Sequence, residues 1–186
     1  MLGALSKGMR YLGVDTNPAL VERLRECADD YAEVNDIDAS AAVDIRCQSS
    51  EVLVPEWIGK VGVAFSSPPY FDIETYEGEN TSTAVHPDYQ DWLEGYMGST
   101  LENAAQYLVP NGHLLVNVND KIYDDIKELV FRRIPELEFM GEDEYDGGRM
   151  GRQHSRKDTL KLKKEGIMVF KKRVMALGQQ EDKAGK

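Results

Sequence analysis

Residues 61–72 read Val61-Gly62-Val63-Ala64-Phe65-Ser66-Ser67-Pro68-Pro69-Tyr70-Phe71-Asp72. The apolar run from Val61 to Phe65 predicts a short buried strand. It ends abruptly in two serines, two consecutive prolines and two aromatics. The prolines fix two φ angles and remove two N–H donors, so the carbonyls of the turn stand as rigid acceptors. Ser67 adds a hydroxyl acceptor, and Tyr70 adds a flat face on which a planar base can stack. Rigid acceptors beside a stacking ring suit an exocyclic amino group held in one orientation. The plainer reading is a strand-ending turn with a tyrosine facing solvent.

The flanking segments set this strand in an alternating chain. Before it, Leu2 to Met9 is helix-compatible, and Arg10 to Asp15 is a strand ending in an acid. Asn17 suits a helix cap and Pro18 the first helical position. The helix that follows spaces Leu20, Leu24, Cys27 and Tyr31 for one apolar face. Ala42 to Cys47 is a second strand, followed by Gln48-Ser49-Ser50. Beyond the opening stretch, residues 71–87 form a polar loop of a length that is commonly functional. Asp88 to Val109 reads as one long amphipathic helix, closed by Pro110-Asn111-Gly112. A strand from His113 to Val118, a helix from Tyr123 to Ile134, an extended piece from Leu137 to Met140 and a strand from Gly166 to Phe170 complete the pattern. This order predicts one α/β domain over residues 1–173, doubly wound around a mostly parallel sheet covered on both faces. Residues 174–186 are polar and read as a disordered tail.

Composition narrows the class. The net charge of -11 over 186 residues argues at first against a nucleic-acid partner. Yet residues 149–173 hold ten Lys/Arg and two Asp/Glu, on a body that is otherwise strongly acidic. Arg149, Arg152, Arg156 and Lys157 in that segment are the candidates for phosphate contact, beside the alternative of lysines guarding a strand edge. No run approaches the ~20 apolar residues of a membrane span, and residues 1–13 lack a signal-peptide pattern. Cys27 and Cys47 show no disulfide or zinc spacing and read as reduced core thiols in a cytoplasmic protein. His86, His113 and His154 are scattered, so no metal site is expected. Trp57 and Trp92 read as packing residues.

Ligands of open α/β sheets bind beyond the carboxyl ends of the strands. Three such ends carry suggestive side chains here: Asp15, Gln48 to Ser50, and Ser66 to Tyr70. An acid ending the second strand of such a fold commonly accepts hydrogen bonds from ribose hydroxyls.

At this point the chain resembles a known family. Strand-Ser67-Pro68-Pro69-Tyr70 looks like the catalytic motif of S-adenosylmethionine-dependent amino-methyltransferases, above all the DNA cytosine-N4 and adenine-N6 enzymes. Tyr11 to Pro18 is similar to the family's cofactor-ribose segment, and Tyr107 to Val116 to the helix–turn–strand after the catalytic motif. Gly166 to Lys171 looks like its late strand. The resemblance implies a Rossmann-like fold, S-adenosylmethionine as cofactor, and duplex DNA with a flipped base as substrate. It implies that Ser67 and the Pro68 carbonyl accept the two N–H bonds of the amine, and that Pro69 and Tyr70 complete the catalytic turn. Asp15 would bind the cofactor ribose, with Asn17, Ser49, Ser50 and Ser66 along the same cofactor edge and Phe71 toward the base. Relatives often present an acid where Ser49 and Ser50 stand. Related Asn-Pro-Pro-Tyr enzymes act on RNA or on a protein glutamine amide, and serine at position 67 weighs against the glutamine version.

One part of the family pattern is not found. Such enzymes open with a strand and a Gly-rich loop, roughly Asp-Pro-Phe-x-Gly-x-Gly, that approaches the methionine part of the cofactor. Residues 1–9 resemble the helix after that loop. The resemblance therefore implies a domain truncated at its N-terminus, lacking the strand that lies between those ending at Asp15 and Ser67. A fragment of a longer product, a split enzyme completed by a second chain carrying the Gly-rich motif, and a degenerate reading frame are the three readings; a non-catalytic remnant that binds nucleic acid is the alternative function.

Overall fold

The structure is a computed structural model, and it describes residues 1–68, 71, 81–145 and 165–174. Helix α1 spans Leu2–Leu5 and leads into strand β1, Tyr11–Asp15. Helix α2 runs over Pro18–Asn35. Asn17 caps it: the Asn17 side-chain oxygen accepts from the Ala19 and Leu20 amides at 3.0 and 3.2 Å. Asp36, in the left-handed region at φ 54°, ends it. A one-turn helix α3, Ala39–Ala42, precedes β2, Val43–Cys47. A 3₁₀ turn at Pro55–Trp57 then leads to β3, Val61–Ser66.

The second half continues with α4, Ser82–Val85, and α5, Tyr89–Asp91. A π-helical segment, Trp92–Met97, passes directly into α6, Gly98–Tyr107. Strand β4 is Leu108–Val118, α7 is Tyr123–Arg133, β5 is Leu137–Tyr145 and β6 is Glu165–Lys172. The alternation is that of a Rossmann-like α/β fold, and β6 alone runs against its neighbours.

The strands form two separate sheets. β1 and β2 pair in parallel, and β3, β4, β6 and β5 follow one another in a second sheet. Among the described residues, β1 and β3 each pair with one neighbour and are edge strands of their sheets. The core lies on one face of the larger sheet, where Leu114, Val116, Met168 and Phe170 pack with Trp92, Met97 and Leu101 and with Ile126 of α7.

Several elements differ from the sequence reading. The long helix expected over 88–109 is interrupted by the π segment and ends at Tyr107. The cause is Arg133, whose Nε and Nη2 donate to Glu102 at 2.8 and 2.7 Å and whose Nη1 donates to the Glu94 carbonyl. That carbonyl is drawn out of the regular helical ladder, and a wider turn results. A Cβ on Gly98 would stand 1.8 Å from the Arg133 guanidinium, so glycine is required there. Pro110 to Gly112 falls inside β4, where the register jumps: Val61 pairs with Leu108 but Val63 with His113. The apolar face of α2 is rotated by one residue, with Val21, Ala28 and Ala32 buried and Leu20 exposed. Cys47 is exposed and is not a core thiol.

The larger sheet is not covered on both faces either, since Val63 and Phe65 are 62% and 61% exposed. Trp57 and Trp92 are buried as expected. Among the described residues, no helix is long and apolar enough to cross a membrane. Residues 175–186 of the expected tail lie outside the described residues.

Candidate active site

Three loops meet beyond the carboxyl ends of β1, β2 and β3. At the end of β1, Asp15 is half-buried, and its Oδ1 accepts from the Asn17 amide at 2.8 Å. This bond fixes the carboxylate at the mouth of α2. Asn17 was expected on the cofactor edge, but its side-chain oxygen is already committed to capping α2.

After β2, Ser49 donates to Glu51 Oε2 at 2.9 Å. Ser50 shares a 2.7 Å hydrogen bond with Thr100. Asn103 donates from Nδ2 to the carbonyls of Ser50 and Glu51, both at 2.9 Å. Thr100 and Asn103 are buried polar groups on α6, and buried groups of this kind require partners. They tie the loop of the smaller sheet to a helix of the larger one.

Glu51 was missed by the sequence reading. It is the acid that directly follows the Ser49–Ser50 pair. Its Oε1 lies 2.8 Å from His86 Nε2, while His86 Nδ1 lies 3.0 Å from Asp91 Oδ2. Burial works against a charged imidazole, but the Glu51 and Asp91 carboxylates outweigh it and hold His86 above its ordinary pKa. The ring also rests against the π segment, where a Cβ on Gly95 would come within 2.8 Å of it.

Tyr96 joins the three loops. Burial raises its hydroxyl pKa, a hydrogen bond with Ser50 partly offsets this, and the Glu51 and Asp15 carboxylates raise it further. Asp15, Ser50 and Glu51 therefore share one electrostatic neighbourhood around the Tyr96 hydroxyl. From Tyr96 an aromatic run leads to the end of β3. Tyr96 lies 5.9 Å from Trp92, Trp92 stacks on Tyr89 at 5.9 Å, and Phe71 meets Tyr89 edge-on at 5.5 Å.

At the end of β3, Ser66 is half-buried, Ser67 exposed and Pro68 buried. Asn117 of β4 donates from Nδ2 to Ser67 Oγ at 3.4 Å. That contact occupies one of the two acceptor lone pairs of the hydroxyl and orients the other. Asn117 follows from the pairing of β4 with β3 and, like Glu51, gives no local sequence signal. Phe71 packs into the aromatic run, which makes it a wall of the site. Pro69 and Tyr70, expected in a catalytic turn, and Arg149, Arg152, Arg156 and Lys157, expected to contact phosphate, lie outside the described residues. Within the basic segment, Lys172 is structural. Its Nζ donates to the Ala105 and Leu108 carbonyls at 2.7 and 3.0 Å, closing the C-terminus of α6.

The fold is similar to that of several solved structures. The fold is Rossmann-like and is shared with solved methyltransferases. A Listeria monocytogenes protein proposed to be a class I S-adenosylmethionine-dependent methyltransferase superposes with a TM-score of 0.53 at 15% identity, over 93% of this chain and 47% of that one. The N-methyltransferase NodS of Bradyrhizobium japonicum gives 0.52 at 9% identity, over 89% of this chain and 74% of that one. NodS has also been solved with S-adenosyl-L-homocysteine. The [4+2]-cyclase SpnF gives 0.50 at 13% identity, over 77% and 47%. This chain thus spans about half the length of the Listeria protein and of the cyclase. No protein-family profile and no curated protein matches the chain. A cyclase sharing the fold means that the chemistry must be argued from the site.

The residues present fit the adenosine end of S-adenosylmethionine. Asp15 offers a carboxylate of fixed orientation to ribose hydroxyls, and the Ser49-to-Glu51 loop offers hydroxyl and carboxylate groups beside it. For the methionine end, the described residues hold no Gly-rich turn between β1 and β3. A groove of about 430 Å³ along α2, α3 and β2, lined by Arg25, Asp29 and Arg46 among others, touches none of these site residues.

Proposed function

We propose that this chain carries the adenosine-binding and base-binding loops of an S-adenosylmethionine-dependent amino-methyltransferase whose substrate is an exocyclic amino group of a DNA base. The observation that carries this reading is the position of Ser67 and Pro68. They end β3 on the same side of the fold as Asp15 and Glu51, joined to them through Phe71, Tyr89, Trp92 and Tyr96.

The chemistry follows from these groups. The amine of cytosine or adenine is a poor nucleophile because its lone pair is delocalised into the ring. Ser67 Oγ, oriented by Asn117, accepts one N–H of the amine, and the Pro68 carbonyl accepts the other. Two such bonds favour a pyramidal nitrogen and direct its lone pair out of the ring plane. Tyr70 stacks on the base. S-adenosylmethionine, when bound, supplies an activated methyl group for in-line displacement. Positioning and preorganised acceptors contribute most of the rate. Asp15 and Glu51 hold the adenosine end, and the buried Tyr96 keeps the loops in register.

The experiment is transfer of tritiated methyl from S-adenosylmethionine to duplex DNA, single-stranded DNA and RNA. The methylated nucleoside is identified by mass. N4-methylcytosine or N6-methyladenine in DNA is expected. Label only in RNA, or in no acceptor, overturns the proposal.

A further inference from the structure

Residues 81–91 set a histidine between two carboxylates, beside the loop that follows β2. Thr81 Oγ1 accepts from the Ala84 amide at 3.2 Å and caps α4, and the His86 amide closes that turn on the Ser82 carbonyl at 2.9 Å. After Pro87, Asp88 Oδ1 accepts from the Gln90 and Asp91 amides at 2.9 and 3.2 Å and starts α5. Two capped turns joined at a proline fix His86 and Asp91 relative to one another. The imidazole spans the space between α5 and the loop: Nε2 meets Glu51 at 2.8 Å and Nδ1 meets Asp91 at 3.0 Å.

An imidazole can hold both carboxylates in one protonation state only. An ionised carboxylate accepts and does not donate, so each ring nitrogen needs a proton of its own. The imidazolium has two; the neutral ring has one and turns a lone pair toward the other carboxylate. We infer that doubly protonated His86 is a pH-sensitive clamp that positions Glu51 for the adenosine end of the cofactor. This rests on the proposed role of Glu51 and adds a regulation to it. When the ring loses a proton, whichever carboxylate keeps the remaining one, the loop and α5 are no longer held by the same side chain.

Clamped in this way, Glu51 is a preset acceptor. Oε1 takes the His86 proton and Oε2 the Ser49 hydroxyl, and each oxygen keeps a further lone pair for a ligand hydroxyl or amine. The groups facing the ring are Glu51 from the loop after β2, Asp91 from α5 and the Gly95 backbone from the π segment. Tyr96, next along that segment, stays protonated because burial raises its hydroxyl. The two carboxylates raise His86 above its ordinary value despite burial. The clamp is therefore complete below pH 6.5 and is lost as pH rises through the folded value.

The test titrates the full ¹⁵N-labelled chain by NMR from pH 5.5 to 9 and measures S-adenosylhomocysteine affinity by calorimetry at pH 6 and pH 9. Both ring nitrogens of His86 should be protonated at pH 6, and the amide resonances of residues 49–52 should move with the ring's midpoint. Affinity should fall at least fivefold between the two pH values, and His86→Ala should show the weaker affinity at both. Asp91→Asn, at an exposed position, is the sharper variant. Its side-chain amide donates to Nδ1, so a neutral ring keeps its proton on Glu51 and affinity should stay high at both pH values. A ring already neutral at pH 6, loop amides that ignore its titration, or wild-type pH dependence in Asp91→Asn overturns the inference. Equal wild-type affinity at pH 6 and pH 9 overturns it too and leaves the adenosine reading standing. No binding at any pH overturns the adenosine reading and the role in affinity together, while the ring and amide titrations still decide whether the clamp exists.

Discussion

His86 Nε2 and Glu51 Oε1 lie 2.8 Å apart and join the loop of the smaller sheet to the helical layer of the larger one. The imidazole is also bound to Asp91, so it sits between two carboxylates. A histidine whose folded pKa is raised contributes stability that is complete below its unfolded value of 6.5 and is lost as pH rises through the folded value. Urea unfolding should therefore show stability declining from pH 6.5 upward. In His86→Ala that decline should flatten. An unchanged slope in the variant would show that the pair contributes nothing to it.

Gly98 and Arg133 should show strong coupling. Gly98→Ala forces the guanidinium away from Glu102 and the Glu94 carbonyl, at roughly 2–3 kcal/mol for a broken, partly buried ion pair. In an Arg133→Ala background the obstruction is gone. There the same substitution should stabilise α6 by about 1 kcal/mol, because alanine exceeds glycine in helix propensity. A double-mutant cycle by chemical denaturation reads this change of sign.

Ser67→Ala should lower the rate of methyl transfer by about 10²-fold, the scale of one lost acceptor in the transition state. Ser67 is exposed and its contact to Asn117 is long, so the melting temperature should be unchanged. Asp15→Asn should act on cofactor affinity instead. Single-turnover rates and S-adenosylhomocysteine titration separate the two effects; equal effects on both quantities would contradict the division of roles.

Lys172→Met should cost about 1–2 kcal/mol of stability by leaving the Ala105 and Leu108 carbonyls without their charged donor. It should leave DNA affinity and its salt dependence untouched. Arg152→Ala and Arg156→Ala should do the reverse, each lowering the salt slope by about one. Filter-binding titrations at several salt concentrations, paired with urea melts, check both.

What could be read along the chain was whatever one short segment decides for itself. Pro18 and Asn17 set the start of α2, because a cap and a first-turn proline act within four residues. Val61 to Pro68 displayed a strand and its rigid acceptors for the same reason. The π segment was hidden, since Arg133 lies beyond the next strand from the Glu94 carbonyl it attracts. The rotated face of α2 was hidden too: Leu20 and Val21 are equally apolar, and the sheet that α2 covers chooses between them.

Glu51, His86 and Asn117 became site residues only through contacts between elements 35 or 50 positions apart. Local sequence thus determined which side chains end β3, because side-chain type and proline geometry are properties of the segment. Tertiary structure alone decided which groups surround it, and that β1 and β3 stand with open edges, because ladder hydrogen bonds and electrostatic neighbourhoods exist only once distant strands have been placed beside one another.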